Sequence, residues 1–273
     1  MDALAIVCFF TFTIHLTESL AYGMRISAVR TRQIAIAMSF VTSTLLVSRM
    51  SNLVQAPILG VMTDTAILGG METVKLLEQK LRFVILSACV GTGLGIILTP
   101  SFIKLFQVAI HRFANHGSML KLVGYALKPS SLFKIIKMLE LPKFSFFKML
   151  SLKGIPKTFL WLNVIVTAFY TLGVLCALMA GAYMPEYRST AIQLSGIVNG
   201  VATIFMTLFV DPSGARITDQ AVHDKRDPVD VERVVFFLQF GKLVGTGILA
   251  QLLFIPLTSY VLWVTQWLAA LTG

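Results

Sequence analysis

The sequence predicts an all-α integral membrane protein with six transmembrane helices, arranged as two inverted-topology repeats of three. Composition, the distribution of basic residues and an internal self-similarity carry that expectation. Of 273 residues, 56% are hydrophobic and only 13% are charged, with a mean hydropathy of +0.80. Soluble chains carry about a quarter charged residues. Apolar runs at 3–24, 34–59, 83–103, 158–184, 190–210 and 234–271 are each long enough to cross a bilayer as a helix.

The first run follows Asp2 and precedes Arg25, Arg30 and Arg32, the reverse of the charge order in a cleaved signal peptide. Cys8, Cys89 and Cys176 all fall within apolar runs and read as small core residues. The last run contains Pro256 and overshoots a hydrocarbon core of about 30 Å, which predicts a break near that proline.

Lys and Arg set the orientation. Connections one, three and five hold 17 of them and connections two and four hold 4. The positive-inside rule then places the odd connections in the cytoplasm and both termini outside. The third connection has a single acid, Glu140, among its basic residues, as in "LFKIIKMLELPKFSFFKML". Basic residues interleaved with apolar ones suit an anionic membrane surface better than nucleic acid. The chain is therefore read as a first three-helix repeat at 1–106, a basic amphipathic cytoplasmic linker at 107–157 and a second repeat at 158–273.

The repeat shows in three matches in the same order. "RQIAIAMS" (32–39) meets "RSTAIQLS" (188–195), "APILGVMTDTAI" (56–67) meets "DPSGARITDQAV" (211–222), and "EQKLRFVILSACVGTG" (78–93) meets "ERVVFFLQFGKLVGTG" (232–247). An odd number of spans per half inverts the second half, a construction found in secondary transporters. Matched loops then lie on opposite faces, which makes Asp64, Asp219 and Glu186 gate-loop candidates.

A charged side chain at the bilayer centre costs about 3 kcal/mol or more and faces a protein interior or cavity. Glu18 is such a group, and His15 and Tyr22 share its helical face. Arg49, Asn52 and Gln55 form a polar stripe on the second helix. A buried ion pair between Glu18 and Arg49, holding two helices together, is one reading of these charges, and a titrating Glu18 suited to proton coupling is another. Asn199 and Lys242 add isolated polar groups later in the chain. His15, Glu18, Asn52, Gln55 and Asn199 are the cavity and coupling candidates, although an asparagine also serves as interhelical glue. Two side chains fall short of a metal site, and no nucleophile triad or phosphate loop appears. No enzyme, metal or cofactor is expected.

The segments "HLTESLAYGMRISAVRTRQIA", "SRMSNLVQAPILG" and "PEYRSTAIQLSGIVNGVATIF", followed by "TDQAV", resemble the Amj family of bacterial lipid II flippases, alternates to the MurJ type. The resemblance implies a bacterial cell-membrane protein that moves undecaprenyl-pyrophosphate-linked peptidoglycan precursor from the inner to the outer leaflet. It makes Arg49 the first pyrophosphate candidate, then Arg25, Arg188 and Lys242, because guanidinium groups bind phosphate in a bidentate manner. Another polyprenyl-linked glycolipid as cargo, and a non-transporting scaffold of envelope assembly, remain open alternatives at this stage. The size of the cargo against six helices suggests a homodimer.

Overall fold

A computed structural model describes residues 2–126, 128, 137–140 and 154–272. Among the described residues, six helical stretches are long and apolar enough to span a membrane: Ala3–Thr31, Ile34–Leu68, Met71–Asn115, Lys157–Tyr183, Pro185–Val222 and Pro228–Leu271. They are called here the first to sixth spans, and no strand occurs among the described residues. Residues 127, 129–136 and 141–153 of the basic linker, including the phenylalanine-rich part after Pro142, lie outside the described residues.

Local sequence explains the ends. Asp2 accepts a hydrogen bond from the Leu4 amide at 3.2 Å and caps the first span, and Asp227 does the same for Val229 at 2.9 Å at the start of the sixth. Arg32 adopts a left-handed conformation, φ 55°, and turns the chain from the first span into the second. The third helix runs from Met71 to His116, about 1.5 Å per residue, so it continues well past a hydrocarbon core of about 30 Å and carries residues 107–116 as helix.

The sixth span corrects one expectation. The helix Ala250–Thr272 runs unbroken through Pro256, and the irregularity lies earlier, as a wide π-turn over Gly245–Leu249. Neighbouring helices and side chains within a membrane protein satisfy the carbonyl that a proline leaves free. Five residues beginning Gly-Thr-Gly accommodate the wider turn. The fifth span has a similar π-turn at Met206–Val210.

In both halves the first-entering span packs against the other two spans of that half. Glycines permit the closest approaches. Gly91 lies against the Phe12 carbonyl, and Gly95 against Ser19 and the Leu16 carbonyl. In the second half, Gly241 lies against Asn163 and Gly245 against Thr167 and the Val164 carbonyl. Such small-residue faces are how membrane helices come close without a hydrophobic drive between them. The third and sixth spans meet reciprocally, Gly93 against Leu243 and Gly247 against Cys89. Each contact becomes the other when its residues are exchanged for those at the matching "VGTG" positions.

Candidate functional site

Glu18, the only carboxylate of the first span, lies beside that span's centre, and the sixth span supplies its partner. Lys242 Nζ donates to Glu18 Oε2 at 2.5 Å, and Ser48 of the second span donates to Glu18 Oε1 at 3.0 Å. The lysine side chain is 5% exposed, whereas the glutamate retains 36%. A buried ammonium is thus neutralised by a carboxylate with one open edge. His15, one turn earlier, is buried with Nδ1 lacking a hydrogen-bond partner and lies within electrostatic reach of both charges.

Polar side chains hold the spans at this depth. Gln239 Nε2 donates to the Ser19 carbonyl at 2.8 Å and to Thr99 Oγ1 at 2.6 Å, joining the sixth, first and third spans. Asn163 Nδ2 donates to the Leu238 carbonyl at 2.9 Å, and its Oδ1 accepts from Tyr22 Oη at 3.4 Å. Thr11 donates to Gln55 Oε1 at 2.8 Å and ties the first span to the second.

The corresponding junction of the second half is neutral. Tyr170 Oη of the fourth span donates to Thr203 Oγ1 of the fifth at 2.8 Å. Asn199 sits against Gly173, where any side chain would collide with its amide, and its Oδ1 is buried without a partner.

The second and fifth spans are tied at both ends and have no extended contact between the ties. Arg188, at the start of the fifth, pairs with Asp64 near the end of the second. Arg32, just before the second, pairs with Asp224, just after the fifth, at 2.9 Å. The two spans therefore run antiparallel. Arg25 is buried and reaches Asp211 at 3.3 Å, passing over Gly214, whose missing side chain leaves room for the guanidinium.

The arrangement sorts the residues expected from sequence. Glu18, His15 and Lys242 come together, and Gln55 is buried one helical segment away on the second span. Arg49 does not join them: the anticipated pair with Glu18 is absent, and Arg49 and Asn52 both lie on an exposed face of the second span. The helix directs Ser48, not Arg49, toward the first span, because neighbouring residues are about 100° apart around a helix. Asp64 holds Arg188, Asp219 lies 3.4 Å from His223 Nδ1, and Glu186 is exposed in the turn Pro185–Tyr187. Ser48, Asp211, Tyr170 and Gly173 were not singled out by sequence reasoning. Asp211 alone carried a signal, as a carboxylate opening the repeated "DPSGARITDQAV". A cavity of about 540 Å³ lies elsewhere, bordered by Glu78, Tyr183, Thr258 and Gln266, and contains none of these residues.

Six spans, an intramembrane ion pair linking the two halves, and antiparallel helices clasped at each end define a polytopic membrane protein built around buried charge. The profile of the family described as "Amj: Alternate to MurJ" matches residues 10–265, and the chain belongs to that family. It is 38% identical to "Lipid II flippase Amj" of Bacillus subtilis (strain 168) over 267 residues, which cover 97% of each protein. No solved structure matches it.

Proposed function

We propose that this protein is a lipid II flippase, carrying the polyprenyl-pyrophosphate-linked precursor from the inner to the outer leaflet by alternating access. The observation that carries the reading is the Lys242–Glu18 pair: a sequestered cation beside a half-open carboxylate near mid-membrane, in a chain 38% identical to a protein named for that activity. The cargo's tail can stay in lipid, whereas its pyrophosphate needs a cation away from water. Glu18 balances the charge of Lys242 while the site is empty and yields the ammonium when pyrophosphate arrives. Arg49, exposed close to the middle of its span and in no ion pair among the described residues, is the group that first meets the head group. Such an arginine is costly against bare hydrocarbon, by about 3 kcal/mol or more, and a bidentate phosphate relieves that cost.

Support for alternation comes from the reciprocal Gly93–Leu243 and Gly247–Cys89 contacts and from ties at both ends of the second and fifth spans. Two inverted halves would exchange these ends between leaflets. In this reading both termini lie outside the cytoplasm, and residues 107–157 rest on anionic lipid. Transport proceeds without an enzymatic step or a bound cofactor.

Complementation tests the proposal. Cells deprived of their other lipid II flippases should grow when this chain is supplied, and should stop growing when it carries Lys242→Ala or Arg49→Ala at equal membrane abundance. Growth that survives both substitutions rules out the assigned roles, and no growth with the unaltered chain rules out the function. Cysteine labelling from outside intact cells should reach both termini.

A further inference from the structure

The neutral junction of the second half has no part in the handling of phosphate described above, yet its placement is unusual. Tyr170 is the central residue of the 27-residue fourth span and is still 40% exposed. Thr203, its partner, falls at the middle of the fifth span and is itself exposed. A phenol and a hydroxyl exposed at that depth are a poor surface to offer lipid tails, because the oxygen lone pairs left after Tyr170 donates to Thr203 and Thr203 to Asn199 have nothing to meet there. Tyr22, one helical turn from Glu18, donates to Asn163 Oδ1 at 3.4 Å, and Asn163 lies two turns from Tyr170 on the fourth span, so that span links the ring to the ion-pair site. Asn199 fills the hollow at Gly173, and its carbonyl accepts from Thr203 Oγ1 at 2.7 Å. The Tyr170–Thr203 bond and the contact of Asn199 with Gly173 fix how far the fifth span stands from the fourth.

We infer that the Tyr170 ring face and the Thr203 hydroxyl form a carbohydrate-contacting subsite, with Asn199 as its positioning residue. An open aromatic face next to a hydroxyl suits a sugar. The ring packs against the C–H face of the pyranose, and the Thr203 hydroxyl, whose proton goes to the Asn199 carbonyl, accepts from an equatorial sugar hydroxyl. No charged side chain is bonded to this junction among the described residues, which suits a neutral ligand and not phosphate. The inference rests on the flippase reading and deepens it. The cargo's two chemistries divide between the halves, pyrophosphate to Lys242 and Arg49, and glycan to Tyr170 and Thr203.

The test uses the purified full-length protein in vesicles with two fluorescent probes, a polyprenyl pyrophosphate bearing a disaccharide and the same lipid without sugar. Tyr170→Phe keeps the ring and should leave the ratio between the two probes as it is in the unaltered protein. Tyr170→Leu should slow the sugar-bearing probe about ten-fold relative to the bare one, the scale of one lost aromatic contact. Thr203→Val should give a smaller selective loss in the same direction. Unfolding midpoints in detergent identify a variant that has merely lost its fold, in which case the ratio measured with Thr203→Val decides. Equal slowing of both probes, or of neither, overturns the subsite while leaving the flippase reading in place. A wild-type protein that moves neither probe overturns both.

Discussion

Where the first and second spans meet, Ser48 reaches a carboxylate that is also bonded to Lys242. Where the fourth and fifth meet, Tyr170 reaches Thr203, and Asn199 fills the hollow of Gly173. Both junctions lie near the middle of their spans, and each joins the first helix of a half to the second. They differ in where the bonding is completed. The neutral junction closes within two helices of one half. The charged one needs the sixth span, so its ion pair also fastens the first half to the second, in parallel with Gln239 and its bonds to Ser19 and Thr99. Charge at the first junction therefore couples the halves, alongside the neutral bonds of Gln239, while the Tyr170–Thr203 junction sets spacing within a half.

Substitutions at the two junctions should differ in size and kind. The largest effect belongs to Lys242→Met, which leaves Glu18 without its counter-ion. Unfolding in detergent should show a loss of about 3 kcal/mol, and complementation should fail. Adding Glu18→Gln to that variant should restore much of the stability without restoring growth, separating the fastening role from the transport role. Gly173→Val comes next, because the added methyl groups collide with Asn199. A loss of about 2 kcal/mol is expected in the same unfolding measurement. Ser48→Ala removes a hydrogen bond to a charged acceptor and should cost about 1.5 kcal/mol. Thr203→Val should cost the least, about 0.5 kcal/mol, since a neutral bond is lost at an exposed position. If Thr203→Val proved as destabilising as Lys242→Met, the contrast between the junctions would be wrong.

Six spans were legible because the hydropathy of each run is a property of adjacent residues. The requirement that Glu18 have a partner was legible too, since an isolated carboxylate at that depth is costly. Its identity was not. Arg49 looks near in the sequence, but the rotation of the second helix turns it outward and presents Ser48 instead. Lys242 arrives from 224 positions away through packing that glycines at 241 and 245 permit. A glycine such as Gly173 gives no sign in the sequence of what fills its hollow, and Tyr170 reads as one more apolar aromatic until its exposure is seen. Pro256 misled for a related reason. It signals a missing backbone donor, but whether the helix bends there depends on neighbours that the sequence does not locate. The wide turn formed instead at the glycines of "VGTG".

The Arg32–Asp224 pair is 67% exposed on both partners, while the lysine of the interior pair is almost wholly enclosed. Dissolved ions screen the first within a Debye length of about 8 Å at physiological strength and scarcely reach the second. Ionic strength is thus a knob that turns on the rim without touching the centre, able to loosen the clasp at that face while the charge at mid-depth stays as it was.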